Sequence, residues 1–181
     1  NISEYGERAT SAWNAEQWIS ETIESALRQT WTSVEIIVVD DGSTDDTAML
    51  VERIPDRRVR CVRAEHRGAA AARNLGLGEA HGDLIQFLDA DDVLDERKLE
   101  LQVAALSASD SRSIASCRWA LFLGDVSAAK TVDESVWVEA DPVEWLRRSL
   151  GGEGMMQPAA WLVPRAVVDA AGPWDESLSL H

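Results

Sequence analysis

Two groups of acidic side chains carry most of the chemistry this sequence offers. Asp40 and Asp41 end the run Val34-Glu35-Ile36-Ile37-Val38-Val39, and Asp89, Asp91 and Asp92 follow Asp83-Leu84-Ile85-Gln86-Phe87-Leu88. Carboxylates gathered at one place repel one another unless a cation or a donor relieves the charge. Hard oxygen ligands of this kind suit Mg2+ or Mn2+, which one or two carboxylates hold together with the phosphate oxygens of a substrate. A helix cap needs one side chain, so the Asp89–Asp92 group exceeds what capping demands, whereas Asp45 and Asp46 read equally well as caps. Between the two groups lie Arg57, Arg58, Arg60, Arg63, Arg67 and Arg73. Arginine placed there suits a diphosphate, although most of the six read as a solvated face. Arg73 stands apart, because it lies on an Ala-rich segment between Gly68 and Gly76 where close packing would hold it.

These residues need elements to position them. Val34–Val39 and Asp83–Leu88 are nearly continuous apolar runs, as in parallel strands buried on both faces. Before the first run, Trp18, Ile19, Ile23 and Leu27 recur at helical spacing within residues 15–29. Asn14, with Gln17 three residues later, reads as a capping box there. A helix is expected from about Asp46 to Ile54, ended by Pro55, then a short strand over Val59–Arg63. Gly68–Gly78 reads as a turn and a close-packed helix. A further helix over Asp95–Leu106 turns Leu99, Val103 and Leu106 inward. Residues 13–106 thus alternate helix and strand, the pattern of an open α/β sheet. Both acidic groups fall at the C-terminal ends of strands, the edge where such sheets bind ligands. Beyond residue 106 the pattern weakens. Ser113–Leu123, Ser135–Val138 and Ala160–Val163 are candidate strands; Asp141-Pro142 opens a helix to Leu150, Gly151–Gly154 is a flexible loop, and Arg165–Ala171 is a short helix.

Composition excludes several classes. With 17 Lys and Arg against 32 Asp and Glu, the net charge is −15, which argues against a nucleic-acid partner. An apolar fraction of 45% is that of a globular chain, not a disordered one. Cys61 and Cys117 lack a CxxC pattern and read as reduced thiols. No apolar run is long enough to span a membrane, and no signal peptide opens the chain. The expected location is the cytoplasm, or the inner face of a membrane. There is no dinucleotide fingerprint, Walker loop or nucleophile elbow. The chain holds 8 Trp, some of which suit a platform for a sugar or base.

Three blocks in register resemble the family 2 glycosyltransferases: Val38-Val39-Asp40-Asp41-Gly42-Ser43-Thr44-Asp45, then Gly68-x-x-x-Ala72-Arg73-Asn74-x-Gly76, then Phe87-Leu88-Asp89-Ala90-Asp91-Asp92. Trp13-Asn14-Ala15-Glu16 is similar to that family's Tyr-Asn-Ala-Glu, and Ala171–Leu178 to its Gly-x-Phe-Asp-Glu-x-Leu. The resemblance runs from about residue 11 to the end. It implies an α/β GT-A (Rossmann-like) fold, an open and mostly parallel sheet flanked by helices. Residues 1–106 would be the nucleotide-sugar-binding half and 107–181 a partial acceptor-side half. It also implies roles. Asp41 would read the base, usually uracil, and Trp13 would stack near it. Arg73 would lie near base or diphosphate, Asp89 would face the ribose, and Asp91, with Asp89, would hold Mn2+ or Mg2+. Asp92 would stand behind them. The implied reaction is inverting transfer of a sugar from a UDP-sugar to an acceptor hydroxyl on a saccharide or lipid, as in cell wall or polysaccharide biosynthesis.

The sequence departs from that pattern at both ends. The family opens with a buried apolar strand, yet Glu7 and Arg8 put charge there and Ser11 replaces a proline, so a poor first strand or a non-native start is expected. The catalytic base is expected just beyond His181; Asp175 and Glu176 precede its position. Two other readings follow from the residues: a non-catalytic nucleotide-sugar-binding module or inactive fragment, and a receiver-like phosphoacceptor domain, for which Lys130-Thr131 is a faint echo.

Overall fold

The apolar runs become strands because they are covered on both sides. The computed structural model describes residues 6–110, 112–131, 134–152, 154 and 156–178. Strand β1 (Gly6–Ala12) is followed by α1 (Ile19–Leu27), β2 (Val34–Asp41), α2 (Thr47–Glu52), β3 (Val59–Ala64), α3 (Ala69–Glu79), β4 (Leu84–Asp89) and α4 (Lys98–Ser107). The later part holds β5 (Ala120–Leu121), β6 (Lys130–Thr131), α5 (Pro142–Leu150), β7 (Val163–Pro164) and α6 (Arg165–Ala171). The main sheet has the order β3-β2-β1-β4-β7. β1 to β4 run parallel, and β7 joins the edge antiparallel to β4.

Alternation along β2 divides the core. Ile36 and Val38 pack with Ile19, Ile23 and Ala26 of α1 and Val51 of α2. Ile37 and Val39 face the other way, against Ala72 of α3 and Val168 of α6, beside Ile85 and Phe87 of β4. Leu99, Val103 and Leu106 of α4 form a third cluster with Leu84 and Leu162. Burying such a side chain stabilises by about 1.5–3 kcal/mol relative to exposure, so the two-sided β2 anchors the sheet. The expected open, mostly parallel sheet flanked by helices is therefore present.

Several elements differ from expectation. β1 is a central strand, paired along its length with β2 and β4. The charges at Glu7 and Arg8 do not prevent this, because backbone ladders on both sides hold the strand and Thr10 and Ala12 supply small buried side chains. Helix α1 starts at Ile19 with Trp18 at its cap position, and Asn14 is not a cap. Asn14 adopts a left-handed φ of 51° and its side chain turns to the next loop, so a long-range contact displaces the local one. Ser113–Leu123 contributes only β5 and an isolated bridge from Ala115 to Leu162. Ser135–Val138 forms a turn. Ala160–Val163 gives one helical turn, Pro158–Ala160, and then β7. His181, and Glu153 within the expected 151–154 loop, lie outside the described residues.

Candidate active site

Three loops meet at the C-terminal edge of β1, β2 and β4, and hydrogen bonds lock them together. Asn14 Oδ1 accepts from Thr44 N at 2.9 Å, while Asn14 N donates to Ser43 Oγ at 3.0 Å. Ala15 N donates to Thr47 Oγ1 at 2.8 Å, and the Glu16 carboxylate accepts from Asp46 N. Asp45 accepts from Thr47 N at 3.0 Å and from Glu16 N at 3.2 Å, so it serves both its own turn and the contact with the loop after β1. The second acidic turn is set by buried polar side chains of α1 and of Gln29 just after it. Thr22 Oγ1 donates to Ala90 O at 2.8 Å, Ser25 Oγ accepts from Leu94 N at 3.1 Å, and Gln29 Nε2 donates to Asp95 O.

Asp41 ends β2 with its carboxylate inside the fold. One oxygen accepts from Arg67 N at 2.9 Å and the other from Gly68 N at 2.8 Å. His66 Nδ1 lies 2.9 Å from the second oxygen. Two glycines make this approach possible. Gly42 has φ +71°, and a Cβ there would meet His66 N at 2.9 Å; Gly68 turns the chain into α3 at φ +92°. Above Asp41, the Trp13 indole stacks on the His66 ring, with centroids 4.7 Å apart and planes 26° from parallel.

At the end of β4, Asp89 Oδ1 pairs with an Arg73 guanidinium nitrogen at 2.7 Å. Asp91 is exposed and accepts no hydrogen bond from a described residue. Burial, together with the charges of Asp89 and Asp91, pushes the Asp92 carboxyl up to about 6. That repulsion is what a divalent cation would relieve. Among the described residues no group of three or more His, Cys, Asp or Glu could cage an ion. The carboxylates of Asp89 and Asp91 offer hard oxygen donors of the kind that suit Mg2+ or Mn2+ together with substrate phosphate.

The structure thus brings all five expected site residues together. Trp13, Asp41, Arg73, Asp89 and Asp91 line one cleft of about 360 Å³, with Ser11, Trp18, His66 and Gly68. That volume lies within the range of small-molecule sites. A groove of about 420 Å³ between α3 and α6 has Asp169 as its one carboxylate, so the acidic cluster belongs to the smaller cleft. The other arginines do not converge on it. Arg58 pairs with Asp56, Arg60 with Glu79, Arg63 with Glu52 and Arg67 with Glu176. Lys130 and Thr131 belong to the β5–β6 hairpin, outside the main sheet, where they cannot serve a receiver-like site at its edge. Burial pushes the Cys61 thiol up to about 11, which leaves it unreactive.

Sequence reasoning passed over two residues here. His66 sits two positions before Gly68, which opens the block that carries Arg73, and that adjacency was its only signal. Trp174 comes from the far end of the chain. Its ring centroid lies 4.8 Å from the Arg73 guanidinium carbon, a proximity no local pattern announces.

The family model "Glycosyl transferase family 2" matches residues 9–155. UDP-Glc:alpha-D-GlcNAc-diphosphoundecaprenol beta-1,3-glucosyltransferase WfaP of Escherichia coli is 44% identical over 94 residues, which cover 51% of this chain and 38% of that enzyme. Among solved structures, residues 1–349 of S. aureus TarS in complex with UDP-GlcNAc align with a TM-score of 0.75 at 21% identity, covering 93% of this chain and 47% of that one. The mannosyltransferase PcManGT of Pyrobaculum calidifontis, in complex with GDP-Man and Mn2+, aligns with a TM-score of 0.68 at 20% identity, covering 98% and 49%. The structural likenesses define the class: an α/β chain of the GT-A fold. The chain belongs to glycosyl transferase family 2. It spans about half the length of the solved relatives and less of the enzyme from E. coli.

Proposed function

We propose that this chain is the donor-binding part of an inverting, metal-assisted glycosyltransferase that uses a UDP-sugar. The observation that carries the reading is the convergence of Trp13, Asp41, Arg73, Asp89 and Asp91 on one cleft at the C-terminal edge of a parallel sheet. In this reading Trp13 stacks on the base and Asp41 reads it, while Asp89 meets the ribose. Arg73 stands beside the diphosphate. A divalent cation, when bound, would supply Lewis-acid stabilisation of charge on the leaving group. Asp91 and Asp89 would hold it.

The reaction itself is a displacement. A base removes the proton of an acceptor hydroxyl as its oxygen attacks the anomeric carbon from the face opposite the leaving group. The bond from that carbon to the diphosphate oxygen breaks, and its electron pair leaves with the nucleoside diphosphate, so configuration inverts. Glu176 is already engaged by Arg67 and Asn74, which supports a base other than Glu176. The WfaP name specifies a lipid-linked acceptor; a saccharide or lipid-linked hydroxyl is the acceptor proposed for the whole protein.

A panel of nucleotide sugars with Mn2+ tests the donor. A UDP-sugar is expected to raise the melting temperature more than GDP- or CDP-sugars, and equal shifts would overturn the base assignment. Asp91→Ala is expected to abolish Mn2+-dependent binding of UDP; titration heats equal to the parent's would remove the metal from Asp91.

A further inference from the structure

We propose that Trp174 is a positioning residue of the donor cleft, fixing the plane of the Arg73 guanidinium so that its edge meets Asp89. The inference deepens the reading of the cleft as a nucleotide-diphosphate site and rests on it.

Arg73 has few other restraints. Its side chain is 15% exposed, and one guanidinium nitrogen pairs with Asp89 Oδ1 at 2.7 Å. Its Nε is buried and finds no hydrogen-bond partner among the described residues. A single ion pair in a partly solvated cleft orients a long side chain weakly. The face of an indole within about 6 Å attracts a guanidinium and leaves its in-plane donors free for carboxylate or phosphate. Trp174 supplies that face at 4.8 Å.

The ring is itself held from three directions. Asn74, the residue after Arg73, clamps the Trp174 backbone twice: Nδ2 donates to Trp174 O at 2.9 Å and Oδ1 accepts from Trp174 N at 2.8 Å. Phe87 of β4 meets the indole edge to face, with centroids 5.3 Å apart and planes at 88°. Glu176 ties the same segment to Asn74 and Arg67. A strap some 100 residues downstream therefore packs on the helix that carries Arg73 and on the strand that ends in Asp89. Trp174 acts through Arg73 and need not touch the donor.

UDP titration in the presence of Mn2+ tests this, alongside the Arg73 Nε–H resonance by NMR. Trp174→Leu is expected to weaken UDP roughly tenfold, while Trp174→Phe stays close to the parent. Arg73→Lys keeps the charge without the planar fork and is expected to lose as much. Adding Trp174→Leu to Arg73→Ala is expected to cost nothing further. In the parent the Nε–H signal should carry the ring-current shift of the indole and lose it in Trp174→Leu. Parent-like UDP affinity in folded Trp174→Leu overturns the proposal. If that variant does not fold, parent-like affinity in Arg73→Lys overturns it. Should the parent bind no nucleotide, the donor-site reading fails by itself, and an Nε–H signal unmoved by Trp174→Leu overturns the positioning claim separately.

Discussion

Asp41 engages both carboxylate oxygens within the chain, through Arg67 N and Gly68 N, and still lines the cleft. The side chain closes the loop before α3, and in the proposed reading it also presents an acceptor to the base. Asp41→Ala removes the acceptor of those two backbone donors, a loss of about 1 kcal/mol or more for each hydrogen bond. It is expected to lower stability and to weaken uridine itself, with or without metal. Calorimetry with uridine and cytidine on the parent provides the control, since equal affinity for both would remove the base-reading role. Asp91 has the opposite character. It is exposed and accepts no hydrogen bond from a described residue, so its loss should change binding without changing the fold.

The elements are held in place by polar groups as well as by apolar faces. Lys98 of α4 is buried and donates to Gln86 Oε1 of β4 and to Gln102 Oε1, the latter at 2.6 Å. The two amide groups then donate onward, Gln86 to Ala159 O at 3.1 Å and Gln102 to Ala160 O at 2.9 Å and Ala115 O at 3.2 Å. This network joins α4 and β4 to the segment that leads into β7 and onward to the Trp174 strap. Lys98→Met keeps the length of the side chain but leaves two buried amide oxygens without that donor. A loss of about 2–4 kcal/mol is expected in urea unfolding, and an unchanged midpoint would show that the network contributes nothing. α1 and the residues just after it do the equivalent for the acidic turn, because Thr22, Ser25 and Gln29 all bond to the backbone between residues 90 and 95.

At the scale of the molecule, the acidic excess leaves a net charge of −15, and several of the acids are held by local pairs with arginine. The hydrogen bonds from Arg58, side chain first and then backbone, hold the Asp56 carboxyl at about 2 against a usual 3.8. On acidification the unfolded chain takes up this proton before the folded one does. The stabilisation from Asp56 is therefore complete above about 4 and is lost as the pH falls through about 2. Glu144 behaves in the same way, held at about 2 by Arg147 and Arg148. Asp56→Ala is expected to unfold more easily than the parent at pH 7, with the difference shrinking towards pH 2. A pH-independent difference in guanidinium unfolding would assign the effect to packing instead.

The sequence by itself determined the alternation of elements and the acidic edge. Unbroken β-branched runs can be satisfied only by strands covered on both faces, and the aspartates that end them follow at the turns. Asp41, Asp89 and Asp91 were readable for that reason and Arg73 from its close-packed segment, whereas Trp13 came only from the resemblance. Only the tertiary structure decided the rest. β1 became a central strand despite its charges, because ladders on two sides outweigh a poor hydropathy pattern. Asn14 left its expected cap for Thr44, thirty residues away. Trp174 reached Arg73 across about 100 residues. Periodicity reports how one segment meets the core, whereas the pairing of distant side chains depends on strand order and on which loops share an edge, and those exist only once the sheet has formed.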